Sequence, residues 1–316
     1  MGLILEHDDS AVSVAYGDVP LLRYVYRPDD VQLESPRPYL HPLRTLAGDL
    51  VSLFRPHDHV WHKGITWSLP VVGEHNFWGG PTYVHGQDYV QLDNDGSMDH
   101  AVFTELSGTE DAVSLAHDLV WHAQPLPGQP VGAEVIHESR ALGVSVPAPD
   151  AWVLTFATTM TNVSGDHLDI GSPTTRGREN AGYGGLFWRG PRDFTGGTIL
   201  LPGRAGGEEL RGVRAEWAGF SGRHDGTSAS SSLVMVDEAT NPVHPPQWFA
   251  RNEWFAALCP APFFSEEVPF PPGSTLSFRY AVVIADGEAD PERGEALAEL
   301  GRAALKHSAP KDRQSA

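Results

Sequence analysis

Short runs in which apolar and polar residues alternate recur along most of the chain. AVSVAYG from Ala11, WVLTFATTMTNV from Trp152, TILLPG from Thr198, SSLVMVD from Ser231 and LSFRYAVVIAD from Leu276 are examples. Each carries the two-residue period of a strand with one buried face, and turn formers punctuate the runs. Only DPERGEALAELGRAALKH, starting at Asp290, has the helical period: Asp290 can cap it, Pro291 suits its first position, and Leu297, Leu300 and Ala304 share one stripe. So many strands without intervening helices predict two large antiparallel sheets packed face to face, or a wide barrel. The expectation is a mostly β protein, an antiparallel β-sandwich in one domain over residues 1–306, with a C-terminal helix at about 290–306 and a disordered tail over 307–316.

The composition narrows the class further. With 33 glycines and 26 prolines in 316 residues, turns are abundant, and 41% hydrophobic residues with nine tryptophans allow a large core. The apolar stretches are short, none near the roughly 20 residues of a membrane helix. A balance of 22 basic against 41 acidic residues gives a formal charge of −19, which repels nucleic acid and anionic membrane surfaces, so neither is an expected partner. The opening MGLILEHDDS has no basic leader, and the lone Cys259 has no internal disulfide partner. Both favour a cytoplasmic location.

Candidate chemistry collects in two places. Six of the fifteen histidines lie between residues 41 and 85, and RPHDHVWHKG, from Arg55 to Gly64, holds three of them. On an extended strand, His57 and His59 would share a face about 6.6 Å apart with Asp58 opposite. Around this stretch lie Arg37, Tyr39, His41, Arg44, Glu74, His75, Asn76, Trp78 and His85. The second place is TTRGRENAGYGGLFWRG, which brings Arg176, Arg178, Glu179, Asn180, Tyr183, Trp188 and Arg189 together with five glycines that permit close approach of backbone or ligand. No phosphate-loop, dinucleotide or nucleophile-elbow motif is present, and Cys259 reads as a small buried hydrophobe.

The motifs RPYLHPL, DHVWHKG, NFW and RGRENAGYGGLFWRG resemble those of bacterial PmoA-like proteins, often labelled methane oxygenase PmoA. The family pattern Asp-His-Pro-His-His-Arg-Gly is matched at Asp58, His59, His62 and Gly64, while Val60, Trp61 and Lys63 depart from it; in the second cluster the match is at Glu179, Gly185 and Arg189. TMTNVSGDHLDIGSP, read as a strand, a polar hairpin and a returning strand, resembles a phrase of galactose-mutarotase-like supersandwich proteins in which an Asn at the place of Asn162 closes the first strand. The Pro-Gly turn and long strand of VPFPPGSTLSFRYAVVIADG resemble that architecture's closing strand. The resemblance implies a β-supersandwich similar to sugar-binding and sugar-converting proteins. The methane label is not carried over, because it belongs to a multi-span membrane subunit and this chain has no such span.

The expected site is a sugar pocket on a concave sheet, formed by Tyr39, His41, His59, His62, Trp78, Glu179 and Arg189. His59, His62, Glu179, Asp58 and Lys63 are the candidate catalytic residues, and Tyr39, His41, Trp78, Asn76, Arg178 and Arg189 the candidate substrate-binding ones. A histidine and Glu179 would act as general acid and base on a sugar or glycoside in epimerisation, elimination or hydrolysis, with Arg189 and Lys63 steadying oxyanion charge. Asp58 is suited to orienting a histidine, pairing with Lys63 or closing the turn after Pro56. Trp61, Trp67, Trp78 and Trp188 are candidate stacking faces for sugar rings. Two other readings stay open: His57, His59 and His62 as ligands of a divalent transition metal, iron, copper or zinc, and a non-catalytic sugar-binding accessory protein.

Overall fold

The computed structural model describes residues 1–307. The alternating runs form two antiparallel sheets facing one another across a continuous core. The first, of eleven strands, runs from the hairpin Leu3–His7 and Ala11–Tyr16 through Val19–Val25, Tyr39–Leu43, Ile65–Val72 and Gly185–Arg189 to Ala257–Ala261 and Gln247–Arg251. The second has nine, with Thr275–Asp286 and Ala151–Asn162 near its centre and Glu134–Ala148, Ala112–His122 and Ser97–Gly108 towards one edge. The expected fold class, a mostly antiparallel β-sandwich with one C-terminal helix, is the one observed. No helix among the described residues is long and apolar enough to cross a membrane.

Strand burial follows the layering. Every residue of Ile65–Val72 is buried: Trp67 and Leu69 enter the core, while Thr66 and Ser68 bond to each other through their hydroxyls at 2.7 Å. Ala151–Asn162 is buried on both faces at its start, where the helix covers its outer side, and alternates towards its end. The helix, Pro291–His307, begins as its sequence predicts: the Arg293 N–H donates to the Asp290 carboxylate at 2.9 Å. It lays Leu297, Ala298 and Leu305 against Val153, Trp217, Val236 and Val283. The tail expected to be disordered lies, from residue 308 onward, outside the described residues.

One expectation is corrected. Leu168–Gly171 does not return as a hairpin beside Ala151–Asn162. It joins the other sheet, Ile170 pairing with Val72 and Val268. Asn162 makes the corner: its amide donates to the carbonyls of Asp166 (2.8 Å) and Phe270 (2.6 Å), and its side-chain oxygen accepts the Ser164 N–H at 3.0 Å. The residue does close the strand, but it does so to pass the chain between layers.

Candidate active site

The ten residues from Arg55 to Gly64 are not a strand. The stem closes by Arg55 N–H donating to the His62 carbonyl (2.9 Å) and Gly64 N–H to Leu53 (2.8 Å). Between them run two successive turns, His59 N–H to Pro56 and His62 N–H to His59, each at 2.9 Å. Turn spacing therefore replaces strand spacing. The rings of His59 and His62 stack with centroids 4.7 Å apart and planes 20° from parallel, while His57 faces outward, its Nδ1 accepting from Arg192 at 3.1 Å. Gly64, at φ 59°, lets the chain leave the loop against the Leu40 carbonyl, which a Cβ would meet at 2.0 Å.

The two clusters converge because their strands are neighbours: Gly185–Arg189 pairs antiparallel with Ile65–Val72, Trp188 opposite Ile65. Arg189 is stitched further to the loop stem, its N–H donating to Gly64 (2.8 Å) and its carbonyl accepting from Leu53 (3.0 Å). A hollow of about 410 Å³ lies beside this junction, lined by Asp58, His59, His62, Trp78, Arg178 and Glu179 of the predicted residues. Its wall is aromatic: His62 meets Trp78 edge-on at 5.7 Å and Phe187 at 4.8 Å, and Trp78 packs on Tyr183 at 4.6 Å. Of the four tryptophans, Trp61 and Trp78 line the hollow; Trp67 and Trp188 are core.

Several predicted residues stand elsewhere. Lys63 is wholly buried in an ion cluster, paired with Asp30 and, at 3.0 Å, with Glu34, which also holds Arg55 at 2.6 Å. Two carboxylates therefore compensate its charge away from the hollow. Tyr39 stacks on Phe54 at 5.0 Å beside that cluster, and burial pushes its hydroxyl up to about 12. His41 also stacks on Phe54 and bonds Ser52 at 2.8 Å, and burial lowers it to about 4. Asn76 is spent on its own turn: it accepts the N–H groups of Trp78 (2.8 Å) and Gly79 (3.0 Å) and donates to Gly80 (3.0 Å), so it shapes the turn that presents Trp78. Arg189 is fully buried behind Phe255 rather than on the surface of the hollow.

The histidine triplet does not suit a metal. Stacked rings direct their nitrogens along parallel planes rather than at one centre, His57 is turned to Arg192, and among the described residues no three His, Cys, Asp or Glu side chains gather as a ligand set. No step below is routed through a metal.

The electrostatics give the two stacked imidazoles different characters. Arg189 Nη1 donates to His62 Nδ1 at 3.4 Å, and since a guanidinium has no acceptor, the neutral ring carries its proton on Nε2. Burial holds His62 well below the usual histidine range, helped by His59, Arg189 and Arg37. Burial also lowers His59, with Asp58 opposing. Asp58 Oδ2 lies 3.2 Å from His59 Nδ1 in an oblique contact that favours a proton on Nδ1, leaving Nε2 as acceptor. Asp58 stays ionised: burial would raise it, but the Arg192 bond at 2.7 Å, its own backbone amide and His59 together bring it to about 2. Of the three roles open to Asp58, orienting a histidine fits its contacts.

The sequence reading missed the far side of the hollow. Tyr89, Arg211, Phe249, Arg251, Trp254 and Phe255 line it, beside Tyr183 of the second cluster. Trp254 is 75% exposed at the rim, and an aromatic pair set among charges in RNEWF was the available signal. Cys259 lies buried behind Phe255 and Phe264, its thiol pushed by burial up to about 12, the inert hydrophobe expected.

Buried neutral histidines also set an acid limit on the fold. His41, His59, His62, His75, His100 and His117 all lie below the ordinary value, first through burial. The unfolded chain therefore binds more protons at these sites once pH drops below about 6.5, and stability falls with it. Asp95 and Asp237, raised by burial to about 7 and about 6, work in the opposite direction but are fewer. The urea midpoint is expected to fall steadily from pH 7 to pH 5; a flat or rising midpoint would contradict this.

Comparison with known proteins places the chain. A model of the "Family of unknown function (DUF6807)" matches residues 11–299. The chain belongs to that family. Curated proteins gave no match to this DUF6807 chain. Among solved structures it is similar to the heparan sulfate lyase HepC from Pedobacter heparinus, at 9% identity and TM-score 0.38, covering 92% of this chain and 36% of the lyase. It is similar to the GH36 alpha-galactosidase AgaA from Geobacillus stearothermophilus in complex with raffinose, at 10% and 0.37, covering 90% and 41%. It is also similar to the GalM/aldose epimerase homologue from C. elegans, at 8% and 0.32, covering 92% and 99%. The DUF6807 chain thus spans well under half of the first two and nearly all of the third. All three are carbohydrate-active by name.

Proposed function

We propose that the hollow is the active site of an enzyme that moves a proton on a sugar or glycoside. The observation that supports this most is a pair of stacked imidazoles in one aromatic-walled cavity, the Nδ1 of one against Asp58 and the Nδ1 of the other against Arg189. His59 Nε2, with Asp58 behind Nδ1, is the base. His62 Nε2–H, with Arg189 behind Nδ1, is the donor to a substrate oxygen, and its depressed pKa keeps it a neutral donor at pH 7. Trp61 and Trp78 offer apolar faces to a pyranose ring, and Glu179, exposed at the rim, is the second carboxylate.

Proton abstraction followed by epimerisation or elimination fits this set better than hydrolysis. The usual glycosidase needs two carboxylates free to act on opposite sides of the bond, and Asp58 is held by Arg192 and His59. The test is incubation with a panel of sugars and glycosides in D2O, followed by proton NMR. Loss of one carbon-bound proton signal, dependent on the protein, is expected. Saturable binding with no exchange and no product would make the protein a sugar-binding one and overturn the enzymatic reading.

A further inference from the structure

In a chain of net charge −19, the hollow gathers arginines. Arg178, Arg211 and Arg251 line it and Arg189 lies behind Phe255, each with its guanidinium over an aromatic ring: Tyr89 at 4.6 Å, Phe249 at 5.6 Å, and Phe255 at 5.0 Å and 3.8 Å. These planar contacts hold the cations in fixed places without neutralising them. Compensation is partial. Glu208 pairs with both Arg211 and Arg251, the latter at 3.0 Å, while Asp58 is taken up by Arg192 at 2.7 Å and Glu179 lines the hollow without an ion pair among the described residues. Arg178 bonds the Tyr89 hydroxyl and has no carboxylate partner among the described residues. Arg189 is wholly buried, and its Nε and Nη2 have no partner at all there.

An orphaned buried guanidinium beside three further arginines is costly unless an anion completes it. The arginines also act on one another: burial first, then Arg251 and Arg178, lower Arg211, and burial and Arg178 lower Arg251, with Glu253 opposing in both. Phe255 ends the bend 253–255, which also carries the exposed Trp254. A ligand that displaces the Phe255 ring reaches Arg189 and His62 together, because the ring covers the first at 3.8 Å and lies 5.9 Å from the second.

We propose that the substrate is an acidic sugar whose oxyanion group sits against Arg178, Arg251 and, behind Phe255, Arg189. This rests on the sugar-binding reading of the hollow and names its substrate class. A carboxylate, a sulfate ester or a phosphate ester would each supply the same chemistry, two or three acceptor oxygens matched to guanidinium donors.

Titration calorimetry at low salt separates these cases, using glucose, glucuronate, glucose 6-sulfate, glucose 6-phosphate and inorganic sulfate with the full chain. At least one acidic sugar is expected to bind about tenfold or more tightly than glucose, a preference that shrinks as salt is added, and the tightest of the three identifies the anion. Arg251→Ala and Arg178→Ala should each weaken the acidic sugar by about tenfold more than they weaken glucose, the range of one charge-assisted hydrogen bond. Glucose binding as tightly as every acidic sugar would overturn this inference while leaving the sugar reading in place. Inorganic sulfate binding that both variants abolish, with no sugar bound, would leave the anion subsite and overturn the sugar reading. No binding by any probe would overturn both.

Discussion

His59→Ala is expected to lower kcat by roughly a hundred- to ten-thousand-fold on whichever sugar shows exchange, the usual contribution of a positioned general base. Its effect on stability should be small, since the side chain is about a third exposed and makes no well-aligned hydrogen bond. The pH profile distinguishes a base from a merely structural residue. A base must be neutral, and burial puts the His59 pKa below the ordinary 6.5, so the acid limb of kcat/KM should have its midpoint below pH 6.5. Asp58 opposes that depression. Asp58→Asn should therefore move the acid limb further down while lowering kcat, because the ring loses the charge that favours its proton on Nδ1. A profile unmoved by Asp58→Asn would remove His59 from the base role.

Arg140→Met is expected to destabilise the fold by about 3–5 kcal/mol, the cost of leaving a buried carboxylate without its counter-ion. Arg140 and Glu138 are both fully buried on Glu134–Ala148, joined by two bonds, Nε to Oε1 at 2.7 Å and Nη2 to Oε2 at 2.9 Å. Each carboxylate oxygen takes one further donor, the Thr158 hydroxyl at 2.8 Å and the Trp121 indole at 2.7 Å. Removing the arginine leaves that anion with two neutral donors in the middle of the sandwich. Glu138→Leu combined with Arg140→Met should recover much of the loss, because an apolar pair in place of both charges removes the desolvation cost. Urea unfolding at pH 7 measures both; a single variant within about 1 kcal/mol of the wild type would contradict the account.

These two sites also show what a sequence discloses. Strand positions were legible because alternation is local, and the helix because Asp290, Pro291 and its apolar stripe are contiguous. The Glu138–Arg140 pair went unread: in HESRAL the charged residues take the inward phase that a pattern reading assigns to apolar ones, and nothing nearby in sequence reveals the tryptophan and threonine that satisfy them. The corner at Asn162 looked like a hairpin because the phrase holds the right turn residues, while the sheet that receives the next strand is decided by its pairing with Val72, about a hundred residues earlier.

For the site, the meeting of the histidine loop with the Arg178–Arg189 stretch was legible in outline, and its geometry was not. Histidines two apart suggest a strand face, but the successive turn bonds accepted by Pro56 and His59 put the useful pair three apart, His59 with His62. Lys63 sits next to that pair in sequence and is withdrawn by Asp30 and Glu34, partners some thirty residues away. Arg211 follows a short 3-10 turn, while Arg251 and Phe255 lie at the connection between Gln247–Arg251 and Ala257–Ala261, so only the fold brings Arg211 to the other two.

The most direct test of the central claim is a crystal structure of the protein soaked with neutral and acidic sugars. The account predicts ring density against Trp61 and Trp78, an oxygen within hydrogen-bond reach of His62 Nε2, and any anionic group turned towards Arg178 and Arg251. A sugar bound at another surface, with His59 and His62 left uncontacted, would contradict it.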